Sequence, residues 1–426
     1  MLNIKYSNPL WETLRSLKGN QKACVVTEPL WAIPNYLFLP FVSIYMVAIG
    51  LQDKQIGVVI SFGLAMQLIW GLFSGAIADK YGRHKMMLVF GLLSWTITCF
   101  LWSIAKSYPY FMLAVFFNSM WQVTGNCFSC IIVEDGDTEK LVNIYTILNL
   151  AGLIAGFISP VAGLFIDRFT LVPTMRVIYI LSMVMMTIKF ILQYRMASES
   201  STGKRRIKEC KGQSMFSLTF GEWGVIVPSL LQPRLFLCII FVAILNCFNT
   251  IQITFWPLFI TTTYGVSNSM LSVFPMVISI TSLLVYMLIT PRINIRSIRN
   301  PLLAGLGLHV LSLLALLVFL PIATHMLWVV FFSAICEAFS LAILGPLCES
   351  IMSIVIPAKQ RARINSMIFA VMFLISTPAV RIAGYLSQEN RTLPMIMNLC
   401  LIFVEIIVSI RIIHVFKLEQ EKGVQN

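Results

Sequence analysis

Charge is what this chain has least of. Asp, Glu, Lys and Arg make up 12% of its 426 residues, about half the share carried by soluble domains. With 58% hydrophobic residues and a mean hydropathy of +0.85, it does not read as a soluble globule. Histidine is nearly missing too. His84, His309, His325 and His414 stand far apart, and there is no HExxH pair, metal-ligand cluster or glycine-rich nucleotide loop. The chain is therefore read as a non-enzyme with no metal and no cofactor. Ten cysteines are present, but apart from Cys210 most lie within apolar runs, which argues against a disulfide framework. Cys127 and Cys130 form a CxxC, yet one turn apart on an apolar stretch they read as small packing residues.

What fills the sequence is long apolar runs. Segments of about 20 apolar residues cross a bilayer, and twelve are expected, at about 25–50, 54–78, 85–105, 108–133, 141–166, 171–194, 235–263, 269–290, 301–321, 326–350, 364–387 and 394–416. An even number places both termini on one side. The loops on that side hold Lys80, Arg83, Lys204, Arg205, Arg206, Arg361 and Arg363 among many cations, while the opposite loops hold only Lys54, Lys106, Arg168, Arg176 and Arg391. That asymmetry predicts cytoplasmic termini in a multi-pass plasma-membrane protein. The formal net charge of +13 then reflects orientation and contact with membrane lipids, and gives no reason to invoke nucleic acid. No cleavable leader is visible, so the first span is read as the inserting one.

The two halves echo each other. Asn35 and Pro40 recur as Gln252 and Pro257, Gly50 as Gly265, Phe116-Phe117 as Phe331-Phe332, Glu134 as Glu349, and Ser159-Pro160 as Thr377-Pro378, at offsets of 215 to 218 residues. Two six-helix bundles follow. The expected organisation is a segment 1–22, with Leu10, Trp11, Leu14 and Leu17 at the spacing of an interfacial helix, a bundle 23–195, a basic linker 196–233, a bundle 234–416 and a tail 417–426.

Between the second and third spans stands Gly75-Ala76-Ile77-Ala78-Asp79-Lys80-Tyr81-Gly82-Arg83-His84-Lys85. Gly75, Asp79, Gly82 and Arg83 match the loop signature Gly-x-Leu-Ala-Asp-Arg-x-Gly-Arg-Lys, and the stretch resembles that of the major facilitator superfamily of transporters. The resemblance implies an all-α polytopic membrane protein with twelve transmembrane helices in two pseudo-symmetric bundles. It also implies that helices one, four, seven and ten line a central cavity, and that two, five, eight and eleven slide between bundles. Independently, an acid at a helix C-terminus needs a positive partner. Arg83 is expected to find Glu134 or Asp135; the resemblance implies that Asp79 faces the start of helix eleven near Arg361 and Arg363, and together these form a cytoplasmic gate. The second half's Pro291-Arg292-Ile293-Asn294-Ile295-Arg296 lacks the acid and the glycine. Gly71-x3-Gly75 and Gly152-x3-Gly156 permit close contact at the sliding faces.

The resemblance, which places span ten at the cavity, makes Glu337, ~18 Å from either end of that span at 1.5 Å per residue, the expected coupling or substrate-binding carboxylate; structural glue between helices is the competing reading. Polar and aromatic residues at helical spacing, Trp31, Asn35 and Tyr36, then Asn118, Gln122 and Asn126, then Asn246, Asn249, Gln252 and Trp256, predict an amide-rich pocket for a small organic substrate. Glu28 is read as wet at the inner surface, Lys189 as reaching headgroups, and Glu405 and His309 as packing. Span four carries Trp121 where proton-driven exporters of the family have arginine. The expected function is proton-coupled transport of a small organic solute by a monomer, with a transporter-like sensor that binds without moving its ligand as the alternative.

Overall fold

The computed structural model describes residues 9–136, 140–221, 228, 231–289, 298–320, 326–355 and 361–423. The side chains of 9, 142, 353–354, 361–366 and 416–423 lie outside the description. Among the described residues the regular structure is helical throughout, as it must be where no water is available to satisfy free backbone groups. Eleven helices are long and apolar enough to cross a membrane. They are Gly19–Ala48, Asp53–Tyr81, Arg83–Ser103, Asn143–Phe169, Leu171–Met196, Pro233–Thr263, Met270–Leu288, Arg299–Val318, Leu327–Met352, Met367–Glu389 and Leu393–Val415. Between the third and fourth of these, Tyr108–Ser119 and Trp121–Val133 continue one another across the single turn residue Met120, which supplies the twelfth. They are referred to below as spans one to twelve in chain order.

Local chemistry explains several ends. Gln52 and Gln55 form a reciprocal capping box at the start of span two, satisfying amides that a helix start leaves free. Gly50 and Gly265 both adopt positive φ, at 100° and 66°, so the corresponding turns of the two halves share a conformation that side chains resist. Span three widens to a π-helical turn at Leu92–Ile97. Span five breaks at Phe157, ahead of Pro160.

The contacts between bundles are lopsided. A Cβ on Gly57 of span two would lie 2.7 Å from the Cα of Gly384 in span eleven; the two backbones touch. Towards the other end of span two, a Cβ on Gly71 or Gly75 would meet nothing within 4 Å. Spans five and eight repeat this: Gly156 and Gly163 abut Ser279 and Ser272, whereas Gly152 faces open space. Among the described residues the expected close contact at Gly71, Gly75 and Gly152 is thus absent. The bundles lean together at the face away from the termini and part towards the terminal face.

Beyond span six, the linker forms two helices, Ser201–Glu209 and Met215–Phe220. Near the N-terminus, Pro9–Ser16 is a short helix with Trp11 and Leu14 exposed and Thr13 and Leu17 buried. Asn143 donates to Thr13 Oγ1 at 3.0 Å and ties it to span five.

Candidate functional site

A cavity of about 260 Å³ lies between spans of both bundles, in the half away from the termini. Asn35 of span one, Gln67 of span two, Trp95 of span three, Asn118 of span four, and Thr250 and Thr254 of span seven supply most of its polar and ring surface. None of its lining residues is charged. The π-helical turn shapes this wall: Asn118 Nδ2 donates to the carbonyl of Ser94 at 3.2 Å. Trp31 stands edge-on to Trp95, with centroids 5.7 Å apart, and Gln122 reaches Gln67 at 3.5 Å. A second, larger groove of about 450 Å³ between spans five and six is walled by Val161, Phe165, Phe169, Val177 and Leu181; its apolar lining suits lipid chains.

Of the remaining residues expected at the pocket, Tyr36, Asn126, Asn246, Asn249 and Trp256 do not line the cavity, and Asn126 and Asn246 bond neighbouring helices instead. Asn126 donates to Ser74 Oγ at 3.1 Å, and Asn246 to Ser376 Oγ at 3.0 Å. The carbonyl of Tyr36 accepts from Ser159 at 2.9 Å. Asn249 is half-buried on span seven, and the Trp256 ring packs against Phe274 of span eight at 5.0 Å. These side chains share the sequence spacing of Asn35 and Asn118, but packing decides which face of each helix meets the cavity.

Glu337 does not line that cavity. Span seven stands between them, with Thr250, Ile253 and Thr254 turned to the cavity and Gln252 buried on the other side. Gln252 Nε2 donates to Glu337 Oε2 at 2.7 Å, and Asn398 Nδ2 donates to Gln252 Oε1 at 3.1 Å. The carboxyl of span ten is therefore linked through span seven to span twelve by a relay of amides.

On the terminal face, span two ends at Gly82, whose φ of 91° lets the chain reverse into span three. Arg83, 5% exposed, donates through Nη2 to Asp79 at 2.9 Å and through Nε to Glu134 of span four at 3.0 Å. Such charge-assisted bonds are stronger than neutral ones. Asp79 takes its second partner from the linker: Arg206 Nη2 and Nε donate to Asp79 Oδ2 at 2.7 and 3.0 Å. Asp79 was expected to face helix eleven, and its described partners are instead Arg83 and Arg206. The side chains of Arg361 and Arg363 lie outside the described residues. Ser200, the cap of the linker helix, donates to Glu134 Oε2 at 2.5 Å, and the amide and hydroxyl of Ser201 donate to Asp135. These bonds from Ser201 hold the Asp135 carboxyl below the usual carboxylate range. The bonds from Asp79 raise Arg206 above the usual guanidinium value.

At the opposite face lies a clamp that sequence reasoning missed. Asp53, at the start of span two, is 5% exposed and accepts from Arg391 Nε at 2.8 Å, Arg391 Nη2 at 2.9 Å and Ser387 Oγ at 2.7 Å. It joins the two bundles next to the Gly57–Gly384 contact. A second unforeseen pair lies within the first bundle. Lys189, 5% exposed, does not reach headgroups but meets Glu28 at 2.9 Å, with the rings of Phe128 and Trp31 5.4 and 5.5 Å from its Nζ. An ammonium so enclosed gains from ring faces as well as from its carboxylate. Glu405 is fully buried in span twelve, and neither of its oxygens has a partner among the described residues.

Comparison with known proteins agrees with this architecture. The family model described as the Major Facilitator Superfamily matches residues 31–408. An uncharacterized MFS-type transporter, YqjV, of Bacillus subtilis (strain 168) is 26% identical over 129 residues, a stretch spanning 30% of this chain and 31% of that protein. Among solved structures, the peptide transporter POT in complex with sulfate superposes with a TM-score of 0.65 at 16% identity, covering 95% of this chain and 99% of the other. The nucleoside transporter NupG gives 0.66 at 14% identity, covering 93% and 99%. An inward open conformation of the xylose transporter XylE from E. coli gives 0.63 at 12% identity, covering 91% and 94%. At these identities the likeness speaks for the fold.

Proposed function

Because the chain belongs to the Major Facilitator Superfamily, a family of transporters and not of enzymes, we propose that it moves a small organic solute across the plasma membrane by alternating access, coupled to proton movement at Glu337. The observation that carries this reading is the lopsided contact between bundles. Backbones touch at Gly57 and Gly384 while Gly71 and Gly75 stand free, and the amide-lined cavity lies between spans of both bundles. A rocking motion that reverses this asymmetry would present the cavity to the other side.

In this reading the termini and linker are cytoplasmic, residues 23–195 and 234–416 are the moving bodies, and the protein works as a monomer. Asp79, Arg83, Glu134 and Asp135 order the cytoplasmic gate, with Gly75 and Gly82 in its hairpin and Arg361 and Arg363 as the partners met on closure. Glu337 acts at one remove from the solute. A change in its protonation alters the bond to Gln252, and with it the position of span seven, whose Thr250 and Thr254 line the cavity.

A thermal-shift screen across drugs, sugars, amino acids and nucleosides will identify a binding solute, and its flux into proteoliposomes then compares the parent with Glu337→Gln. The substitution is expected to abolish pH-dependent uptake while leaving binding intact. Flux with unchanged rate and pH dependence would remove the coupling role. Binding without any flux in the parent would make the protein a sensor.

A further inference from the structure

The linker helix Ser201–Glu209 has two working sides. At 100° per residue, Gly203 and Arg206 fall on one side and Lys204 and Lys208 on another, and the turn after the helix adds buried Cys210 and exposed Lys211. The first side is docked: Gly203 and Cys210 are buried and Arg206 holds Asp79. The second side is exposed, and Arg205 beside it, though it meets Glu209 at 3.6 Å, leaves 68% of its side chain uncovered.

The next helix places this cationic stripe at a definite depth. Phe216 and Phe220 of Met215–Phe220 pack against Phe73 of span two, with ring centroids 6.1 and 6.0 Å away. Phe73 lies six residues inside Asp79, ~9 Å deeper along the helix at 1.5 Å per residue. Phe216 is nevertheless 68% exposed, and in a membrane-inserted chain a ring left open at that depth fits the edge of the bilayer. Lys80 Nζ donates to the carbonyl of Gln213 at 2.8 Å and fixes the turn between the two linker helices. The lysines of the outer stripe are thereby carried at headgroup height beside a ring that enters the acyl boundary, the arrangement that favours anionic lipid.

We propose that Lys204, Arg205, Lys208, Lys211 and Phe216 form a binding surface for anionic phospholipid headgroups, created by docking of the linker on the Asp79 loop. Each cation near an anionic surface strengthens binding by about five-fold.

The test uses the full chain purified from equimolar phosphatidylcholine and phosphatidylglycerol, with the retained lipids quantified by mass spectrometry. Substituting Lys204, Arg205, Lys208 and Lys211 together by Gln should lower phosphatidylglycerol enrichment by at least about ten-fold, up to about 600-fold if the four five-fold contributions are independent. A control set of equal charge on the same face, Arg15, Lys18, Lys22 and Arg195 to Gln, should lower it far less. Equal losses in the two sets, or enrichment retained in the linker set, would overturn the proposal. So would displacement of the lipid by inorganic phosphate, which would mark a phosphate site. In the parent protein, photoactivatable phosphatidylglycerol should crosslink within residues 204–216 more than the phosphatidylcholine probe does. Equal crosslinking would refute the surface whatever the variants do.

Discussion

Replacing Asp53 by Asn tests the clamp that joins the bundles. The parent carboxylate accepts two bonds from Arg391 and one from Ser387. Hydrogen bonds to charged groups contribute about 1.5–3 kcal/mol. A quarter of the Arg391 side chain is exposed, so screening takes the effect towards the lower end of that range, and Asn keeps one acceptor for Ser387. A loss of about 1.5–2 kcal/mol remains. Because the contact crosses between bundles, the loss falls on the state closed at this face, and the shift cannot exceed the difference between the two states. The ratio of states should therefore move by roughly 10- to 30-fold. The assay is labelling by a membrane-impermeant maleimide, applied from the clamp side, of Thr254→Cys in a background without the native cysteines. Asp53→Asn should raise the labelling rate by about ten-fold, and Asp53→Arg combined with Arg391→Asp should bring it back. A rate equal to the parent's would show that the pair does not hold this face shut.

Three further outcomes are expected. In the same labelling assay, Gly57→Ala sets a Cβ 2.7 Å from a backbone atom that cannot rotate away and should raise labelling, whereas Gly71→Ala, with nothing within 4 Å, should not; equal effects would refute the contact. Lys189→Met strands Glu28 and should cost about 3–5 kcal/mol, read as a fall in Tm that Glu28→Gln on top of it largely reverses; an unchanged Tm in the single variant would rule this out. The Asp135 carboxyl has a folded value below the usual one, so its contribution to linker docking is complete above the usual carboxylate range and is lost as the pH falls through the lowered value. Labelling of Cys210 by a pyridyl disulfide should then stay low down to pH about 4 and rise only in stronger acid; a rise near neutrality would show that Asp135 does not hold the linker.

How much was legible in the sequence follows the range of the physics involved. Spans came from composition and the repeat from like residues at a near-constant offset, and both can be read along the chain without knowing how helices pack. The meeting of Arg83 with Glu134 could be anticipated because both stand at the same membrane depth at span ends. Arg206 could not, since a linker read as a connector gives no reason to dock. The signal available was Ser200, a good helix cap followed by a polar helix, with Arg206 nearly two turns inside it. Asp53 and Arg391 stand 338 residues apart and Glu28 and Lys189 161 apart; each looked like an isolated charge near a surface. Their pairing depends on how helices rotate and tilt. The same holds for Gln252, whose spacing matched the residues at the cavity but whose side chain turned into its own bundle.

The break at Met120 divides span four, while the corresponding position in the second half, Ile335, lies inside one continuous helix from Leu327 to Val355. Span ten has its weak point elsewhere, at Pro346, eleven residues and therefore ~16 Å further along the axis. Two walls that descend from one design are thus jointed at different heights. A bend at each joint would therefore move a different length of helix in the two bundles. The halves match in outline but not in compliance, so equivalent substitutions in spans four and ten will not have equivalent mechanical effects.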